Sequence, residues 1–106
     1  IIEKNNCSCF IVDDGFQALD VLEKDVFDVI LMDINMPLIS GFETTRKIRL
    51  KGIHTPIIAL TAFAKDEITE EAIDAGMNDI IIKPFEPLKL FQVINDQIKK
   101  TKNAVY

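Results

Sequence analysis

The sequence is poor in residue types on which whole classes of site depend. It has two cysteines and one histidine among 106 residues, too few for the clustered ligands of a typical zinc site. Cys7 and Cys9 lie close together on a predicted strand, a spacing that suits neither a disulfide nor a zinc site. We therefore expect both to be buried, reduced thiols in a cytoplasmic protein.

Long hydrophobic runs and an excess of positive charge are also missing. No segment approaches the roughly 18 consecutive apolar residues of a membrane-spanning helix, and no signal peptide is visible. The formal net charge is −5 and the isoelectric point is near 4.8, which argues against a nucleic acid or an anionic membrane as the main partner. Proteins and small ions are the expected partners.

The sequence does contain a regular alternation of short apolar runs and amphipathic stretches. Nearly half of its residues are apolar, which is enough for one packed core and predicts a single domain over residues 1–106. Predicted strands are Cys7–Val12, Phe27–Met32, Pro56–Leu60 and Asp79–Ile82. The pattern βαβαβαβα predicts an α/β fold with a doubly wound, open parallel sheet.

Helix boundaries are signalled by capping residues. The segments from Asp14 to Gln17 and from Ser40 to Glu43 resemble capping boxes, and each predicts a helix that begins there. A third helix is predicted over about Asp66–Ala75, with Gly76 as its left-handed C′ residue. A fourth helix is predicted to begin at Glu86-Pro87. Residues 101–106 are predicted to form a frayed tail.

One polar side chain follows each of three successive apolar strands: Asp33, Thr61 and Lys83. The carboxyl ends of parallel strands meet at one edge of a sheet, where ligands bind, so these groups should converge. A carboxylate there can attack a phosphoryl group, while a hydroxyl and an ammonium bind the oxygens on which charge accumulates. Each residue alone is better explained as a cap or a surface charge, but the three together favour phosphoryl transfer.

Three further residues carry no assigned chemistry. Pro37 and Gly41 are interpreted as shaping the loop between Asp33 and the helix at Ser40. His54 lies in a predicted loop and has no partner in the sequence, so no acid–base role is assigned to it.

Three stretches of the sequence resemble the receiver domain of two-component signalling in order and spacing. They are DDGFQALDVLEKDVFDVILMDINMPLISGFETTRKIR, TPIIALTA and AGMNDIIIKPF, within about residues 6–98. The resemblance implies a flavodoxin-like fold with strand order 2-1-3-4-5. It also implies that Asp33 accepts a phosphoryl group from the phosphohistidine of a histidine kinase or phosphotransfer protein, and that Thr61 and Lys83 contact that group.

The resemblance has further implications for the site. Mg²⁺ would be bound by Asp33 and by the backbone carbonyl of Asn35, whose side chain would tune the lifetime of the phosphate. The Lys83-Pro84 peptide would be cis. The motifs DINMP and LTAFA are most similar to those of receivers attached to hybrid histidine kinases.

The sequence departs from the receiver pattern at its start. Receivers begin with a strand that ends in an adjacent pair of acids, which completes the Mg²⁺ site. Asp13-Asp14 imitates that pair, but its surroundings match the segment that leads into the family's second helix, and Asp14 is already predicted to cap a helix. The resemblance therefore implies that the sequence, which starts at Ile1, lacks the first strand, and that Ile1–Lys4 is the end of the first helix.

An absent first strand has a physical consequence, since that strand is central in the order 2-1-3-4-5. A vacant centre between Cys7–Val12 and Phe27–Met32 would leave two rows of backbone groups unpaired. We therefore expect an N-terminally incomplete domain whose missing segment exists in the molecule or is supplied by another chain; direct pairing of these two strands would contradict this. Affinity for Mg²⁺ is expected to be poor without the acid pair.

The predicted output differs from that of many receivers. These carry an aromatic residue three positions before the lysine, and here Ile80 occupies that place. A ring flip is therefore not expected. Movement of Thr61 would instead repack the surface of residues 66–98, where an output domain or partner protein would bind.

Other functions explain parts of the pattern. A haloacid-dehalogenase type of phosphatase also uses a strand-end aspartate, but it needs a second aspartate as general acid where this sequence has Asn35. A flavin binder needs a Gly-rich phosphate loop, which is not visible. A receiver-like interaction module that is not phosphorylated stays open, because the acid pair is not seen. No enzymatic activity is expected beyond self-phosphorylation and autodephosphorylation.

Overall fold

A computed structural model describes residues 2–4, 7–36, 39–62, 65–84 and 86–103. The elements in chain order are β1 (Ile2–Lys4), β2 (Cys7–Val12), α1 (Gly15–Lys24), β3 (Val29–Asp33), α2 (Gly41–Leu50), β4 (Ile57–Thr61), α3 (Lys65–Ala75), β5 (Asp79–Ile82) and α4 (Pro87–Asn103). The bounds predicted for β2 and β5 are confirmed. Strand β3 begins two residues later than predicted and β4 one residue later, and each ends one residue later. Strands β3 and β4 therefore include the polar residue that ends each of them.

The described strands form one sheet in the order β1-β2-β3-β4-β5. Strand β1 is antiparallel to β2, and the other neighbours pair in parallel. The registers align Asp33 with Leu60 and Thr61 with Ile82. The carboxyl ends of β3, β4 and β5 consequently lie side by side.

The centre of the sheet differs from the prediction. Strand β2 pairs directly with β3, from Cys9 with Val29 to Val12 with Met32, which contradicts the order 2-1-3-4-5 with a vacant centre. Buried backbone N–H and C=O groups have to be paired, and the direct contact pairs the groups that a vacancy would have exposed.

The amino end of β2 is fixed by contacts that the sequence pattern did not indicate. The Ser8 N–H donates to the Asp28 carboxylate at 2.8 Å, and the Asp28 N–H donates to the Ser8 carbonyl at 2.8 Å. Ile2–Lys4, expected to be the end of a helix, forms β1 instead and pairs with the outer edge of β2. Strand β2 is thus paired along both of its edges.

The core consists of two apolar clusters, one on each face of the sheet. Helices α1, α2 and α3 cover one face, and α4 covers the other. Strands β3 and β4 contribute to both clusters and are almost completely buried, as expected for parallel strands with helices above and below. Cys9 lies in the cluster on the face that α4 covers, as a buried, reduced thiol. The Cys7 side chain lies outside the described residues.

The helix boundaries confirm the capping predictions. Asp14 Oδ1 accepts from the N–H groups of Phe16 and Gln17, and Ser40 Oγ accepts from that of Glu43. Gly76 has φ +104° directly after α3, a conformation that favours glycine. Helix α4 continues to Asn103, three residues into the segment predicted to fray, and 104–106 lie outside the described residues. None of the described helices is both long and apolar enough to cross a bilayer.

Arg49 joins the loops at the amino edge of the sheet. Its guanidinium donates hydrogen bonds of 2.8 to 3.0 Å to the carbonyls of Ile53, Thr55 and Gly76 and to the Asn78 side chain. The group is half-buried, and burial lowers the pKa of Arg49 from its ordinary value. Because the guanidinium is fully occupied by these acceptors, it holds α2, the α2–β4 loop and the α3–β5 loop together.

Replacing Arg49 with Leu is expected to lower the free energy of unfolding by about 3 kcal/mol, since several carbonyls at this edge lose a charged donor. Chemical denaturation measures the change. Arg46→Leu is the matched control, because it removes the same group from an exposed position of the same helix. Equal losses of stability in the two variants would contradict a structural role for the Arg49 contacts.

Candidate functional site

The site lies where β3, β4 and β5 end. Asp33 is the last residue of β3, Thr61 is the last residue of β4, and Lys83 directly follows β5. Strand β4 lies between the other two. Two backbone hydrogen bonds tie the ends together, from the Ile34 N–H to the Leu60 carbonyl at 3.2 Å and from the Lys83 N–H to the Thr61 carbonyl at 2.6 Å.

Asp33 and Lys83 form an ion pair at this edge. The Lys83 Nζ lies 2.8 Å from Asp33 Oδ2, although 50 residues separate them in sequence. The side chains are 40% exposed for Lys83 and 32% exposed for Asp33, so the pair is accessible to a reactant. Such a partly exposed pair adds little to stability. A gain in stability is therefore a weak explanation of the contact, and a chemical role is a better one.

The second carboxylate oxygen of Asp33 has its own partner. Its Oδ1 accepts from the Asn35 N–H at 3.1 Å, so the carboxylate is oriented from two sides. Asn35 itself is exposed. The loop then closes through a hydrogen bond of 2.9 Å from the Gly41 N–H to the Ile34 carbonyl. Pro37, predicted to shape this loop, lies outside the described residues.

Thr61 lies on the strand between the two charged residues. It is 1% exposed, whereas Asp33 and Lys83 at the ends of the flanking strands are partly exposed. The structure thus brings Asp33 and Lys83 into contact and places Thr61 on the intervening strand. His54, to which no role was assigned, is exposed in the loop before β4, at the amino edge of the sheet.

The Lys83-Pro84 peptide bond is cis, which confirms the isomer that the family resemblance implied. The chain therefore turns away from β5 at a cis peptide bond directly after Lys83.

The acid pair Asp13-Asp14 lies at the end of the neighbouring strand. Because Val12 pairs with Met32, these acids follow β2 at the level where Asp33 ends β3. The Asp14 carboxylate caps α1, as predicted. Asp13 is exposed. Within the described ranges, no group of three or more histidines, cysteines, aspartates or glutamates is arranged to hold a metal ion.

The donor set at Asp33 suits Mg²⁺ in kind but is small. The partly exposed Asp33 carboxylate and the backbone carbonyl of Asn35 are hard oxygen donors, which Mg²⁺ prefers. The Lys83 ammonium already lies against one oxygen of that carboxylate, so a cation has to compete with it. These residues fit a weak site.

The 106-residue chain is therefore expected to bind Mg²⁺ with a dissociation constant above about 1 mM. Titration with Mg²⁺, followed by the NMR shift of the Asn35 amide, measures this affinity. Asp33→Asn should remove the response, whereas Asp13→Asn should leave it unchanged. Sub-millimolar binding that is lost in Asp13→Asn would show that Asp13 belongs to the metal site.

A cavity is present on another surface of the domain. It has a volume of about 210 Å³ and lies between α3 and β5, lined by Thr69, Ala72, Ile73, Met77, Asn78, Asp79 and Ile80. Ile73 at its rim is 65% exposed. The cavity falls within the 66–98 surface that the sequence predicted as a contact region.

Comparison with known proteins decides the family. The family described as Response regulator receiver domain matches residues 1–95. The chain belongs to this family. The matched residues include the segments that carry Asp33, Thr61 and Lys83.

Individual relatives agree with this membership. The receiver is 40% identical to hybrid signal transduction histidine kinase I of Dictyostelium discoideum over 94% of this chain, and 46% identical to the autoinducer 2 sensor kinase/phosphatase LuxQ of Vibrio vulnificus over 74% of it. It spans only 6% and 9% of those two proteins. Their whole-protein activities are therefore not carried over.

A solved structure also resembles the receiver. It is the receiver domain of sensor histidine kinase PA1611 from Pseudomonas aeruginosa PAO1, with a TM-score of 0.73 and 41% identity over 83% of this chain and 74% of that one. That structure contains a magnesium ion coordinated in its active-site cleft. The flavodoxin-like receiver fold predicted from the sequence is confirmed, whereas the predicted strand order is not found.

Proposed function

We propose that this receiver accepts a phosphoryl group on Asp33 from the phosphohistidine of a histidine kinase or phosphotransfer protein and thereby switches a protein-binding surface. The observation that carries the proposal is the contact between Asp33 and Lys83 at 2.8 Å, with Thr61 on the strand between them. Family membership supports the reaction class. The negative charge of the chain and the buried, reduced Cys9 fit a cytoplasmic module that contacts proteins rather than nucleic acid or membrane.

The transfer needs one nucleophile and cations around it. An oxygen of the Asp33 carboxylate forms a bond to phosphorus while the bond from phosphorus to the donor imidazole nitrogen breaks, and the electron pair stays on that nitrogen. Lys83 moves its ammonium from the carboxylate to the transferred oxygens, and the Thr61 hydroxyl donates to another of them. Mg²⁺, held by the Asp33 carboxylate and the Asn35 carbonyl, would supply further neutralisation of phosphate charge.

Release of the phosphoryl group would depend on Asn35. The residue is exposed beside Asp33, and its backbone N–H already binds that carboxylate. Its side chain would border the water that attacks the acyl phosphate and so set the lifetime of the signal. As an amide, Asn35 cannot protonate a leaving group, which supports a single phosphorylation event rather than turnover of phosphate esters.

The switch would travel from Thr61 to the surface of residues 66–98. Helix α3 begins four residues after Thr61, and the cavity between α3 and β5 gives it room to repack. Ile80 is half-buried and packs against the larger core cluster, so an aliphatic side chain stands where many receivers have a ring. The switch is an equilibrium between two arrangements of Thr61, Lys83 and the 66–98 surface. The phosphoryl group shifts this equilibrium only by the difference between its binding free energies for the two arrangements.

Beryllofluoride with Mg²⁺ mimics the acyl phosphate and tests this switch by NMR. The expected result is a set of amide shift changes at Asn35 and Thr61 and at the cavity residues Ala72 and Met77, all absent in Asp33→Asn. Changes confined to Asn35 and Thr61 would contradict coupling to the 66–98 surface.

A receiver-like interaction module without phosphorylation is the second candidate. The observation that favours it is that both oxygens of the Asp33 carboxylate have partners already, Lys83 and the Asn35 N–H. In that case Asp33 is a structural acid, and neither beryllofluoride nor acetyl phosphate should change the spectrum of the protein or of Asp33→Asn.

A further inference from the structure

The first turn of α2 packs directly on the backbone that carries Asp33. A Cβ built on Gly41 would lie 2.6 Å from the Asp33 carbonyl oxygen and 2.9 Å from the Ile34 Cα. Both blocking atoms belong to the backbone, which cannot rotate aside as the end of a side chain does. Only glycine therefore allows the helix to come this close to β3.

This approach is fixed by hydrogen bonds on both sides of Gly41. Its N–H donates to the Ile34 carbonyl at 2.9 Å, and its carbonyl accepts from Thr45 Oγ1 at 2.8 Å. The same Thr45 hydroxyl lies 3.4 Å from the sulfur of Met32, the residue before Asp33. Thr45 is completely buried. These contacts connect α2 to the last two residues of β3 and to Ile34, which follows the strand.

We propose that Gly41 is a positioning residue for phosphoryl transfer, an inference that rests on the proposed function of Asp33. The Asp33 carboxylate meets Lys83 at 2.8 Å and the Asn35 N–H at 3.1 Å, and both distances depend on where the backbone of Asp33 lies. A side chain at Gly41 pushes that backbone away from α2. Misplacement by about 1 Å can slow a reaction on the order of 100-fold.

Gly41→Ala tests the inference, with Gly15→Ala as the matched control. A Cβ on Gly15 would also be blocked, by Thr44 Oγ1 and by Ile39 Cγ2, but these contacts do not involve Asp33. We expect the rate of phosphorylation by acetyl phosphate to fall about 10- to 100-fold in Gly41→Ala and to stay within about 3-fold in Gly15→Ala. The rates are compared well below the melting temperature of each variant, so that loss of folded protein does not enter.

The NMR shift of the Asn35 amide gives a second readout that needs no phosphorylation. It should change in Gly41→Ala, because the hydrogen bond to Asp33 Oδ1 is displaced, and should stay unchanged in Gly15→Ala. If the parent chain is not phosphorylated at all, the proposed function fails while this readout still decides the positioning role. An unchanged amide together with a rate within about 3-fold of the parent in Gly41→Ala overturns the inference.

A milder pair of variants covers the case in which Gly41→Ala does not fold. Thr45→Val removes the hydroxyl that binds the Gly41 carbonyl, whereas Thr44→Val removes an equally buried hydroxyl that binds the Ser40 carbonyl instead. The positioning role predicts slower phosphorylation and a shifted Asn35 amide for Thr45→Val alone. Equal effects in the two variants would contradict it.

Discussion

Asp33→Asn should lower phosphorylation by acetyl phosphate more than about 1,000-fold, because an amide oxygen is not a competent nucleophile toward phosphorus. The substitution keeps the shape of the side chain and an oxygen that accepts from the Asn35 N–H. It removes one half of a partly exposed ion pair with Lys83, so the free energy of unfolding should change by no more than about 1 kcal/mol. Intact-protein mass spectrometry measures the phosphorylated fraction over time.

Asp13→Asn is the matched control for this experiment. It removes an exposed carboxylate at the end of the adjacent strand, at the same edge of the sheet. Phosphorylation should proceed normally in this variant. If phosphorylation persists in Asp33→Asn and disappears in Asp13→Asn, the acceptor lies at the end of β2, and its assignment to Asp33 at the end of β3 is wrong.

Lys83→Met should slow phosphorylation by about 100- to 1,000-fold, the usual cost of removing one preorganised donor from a transition state. Methionine keeps the length of the side chain but has no ammonium to follow the charge onto the transferred oxygens. The backbone bond from Lys83 to the Thr61 carbonyl is retained, so β5 should stay in place. The rate under excess acetyl phosphate, with circular dichroism to verify folding, measures the effect.

Lys89→Met controls for the general loss of a positive charge. Lys89 is exposed near the start of α4 and is expected to have no effect on the rate. A Lys83→Met protein that is phosphorylated at the parental rate would show that the 2.8 Å contact with Asp33 is an ordinary surface ion pair.

Much of the site could be predicted because its parts are local. Asp33, Thr61 and Lys83 each end a short apolar run, and parallel strands bring such ends together without any further information. The caps at Asp14 and Ser40 depend only on residues within one turn of each helix. These features follow from spacing along the chain. Hydrogen bonds confirm both caps, and the contact between Lys83 and Asp33 joins two of the three strand ends.

The features that could not be predicted depend on contacts between distant segments. The pairing of β2 with β3 is chosen by which backbone edges meet, and apolar strands look alike to one another in sequence. The role of Arg49 depends on carbonyls up to 27 residues away in sequence. The sequence alone therefore does not distinguish Arg49 from the exposed Arg46 on the same helix. The sequence indicates that Gly41 shapes the loop after Asp33, whereas the structure places it in the first turn of α2, and its contact with the Asp33 backbone appears only in three dimensions.

The most direct test of the account is to locate the phosphoryl group. Borohydride reduces an acyl phosphate at an aspartate to homoserine, which peptide mass spectrometry can locate along the chain after incubation with acetyl phosphate and Mg²⁺. Homoserine is expected at residue 33 and at no other aspartate. Homoserine at residue 13 or 14, or a chain that remains unmodified while a fully active receiver treated in parallel is converted, would contradict it.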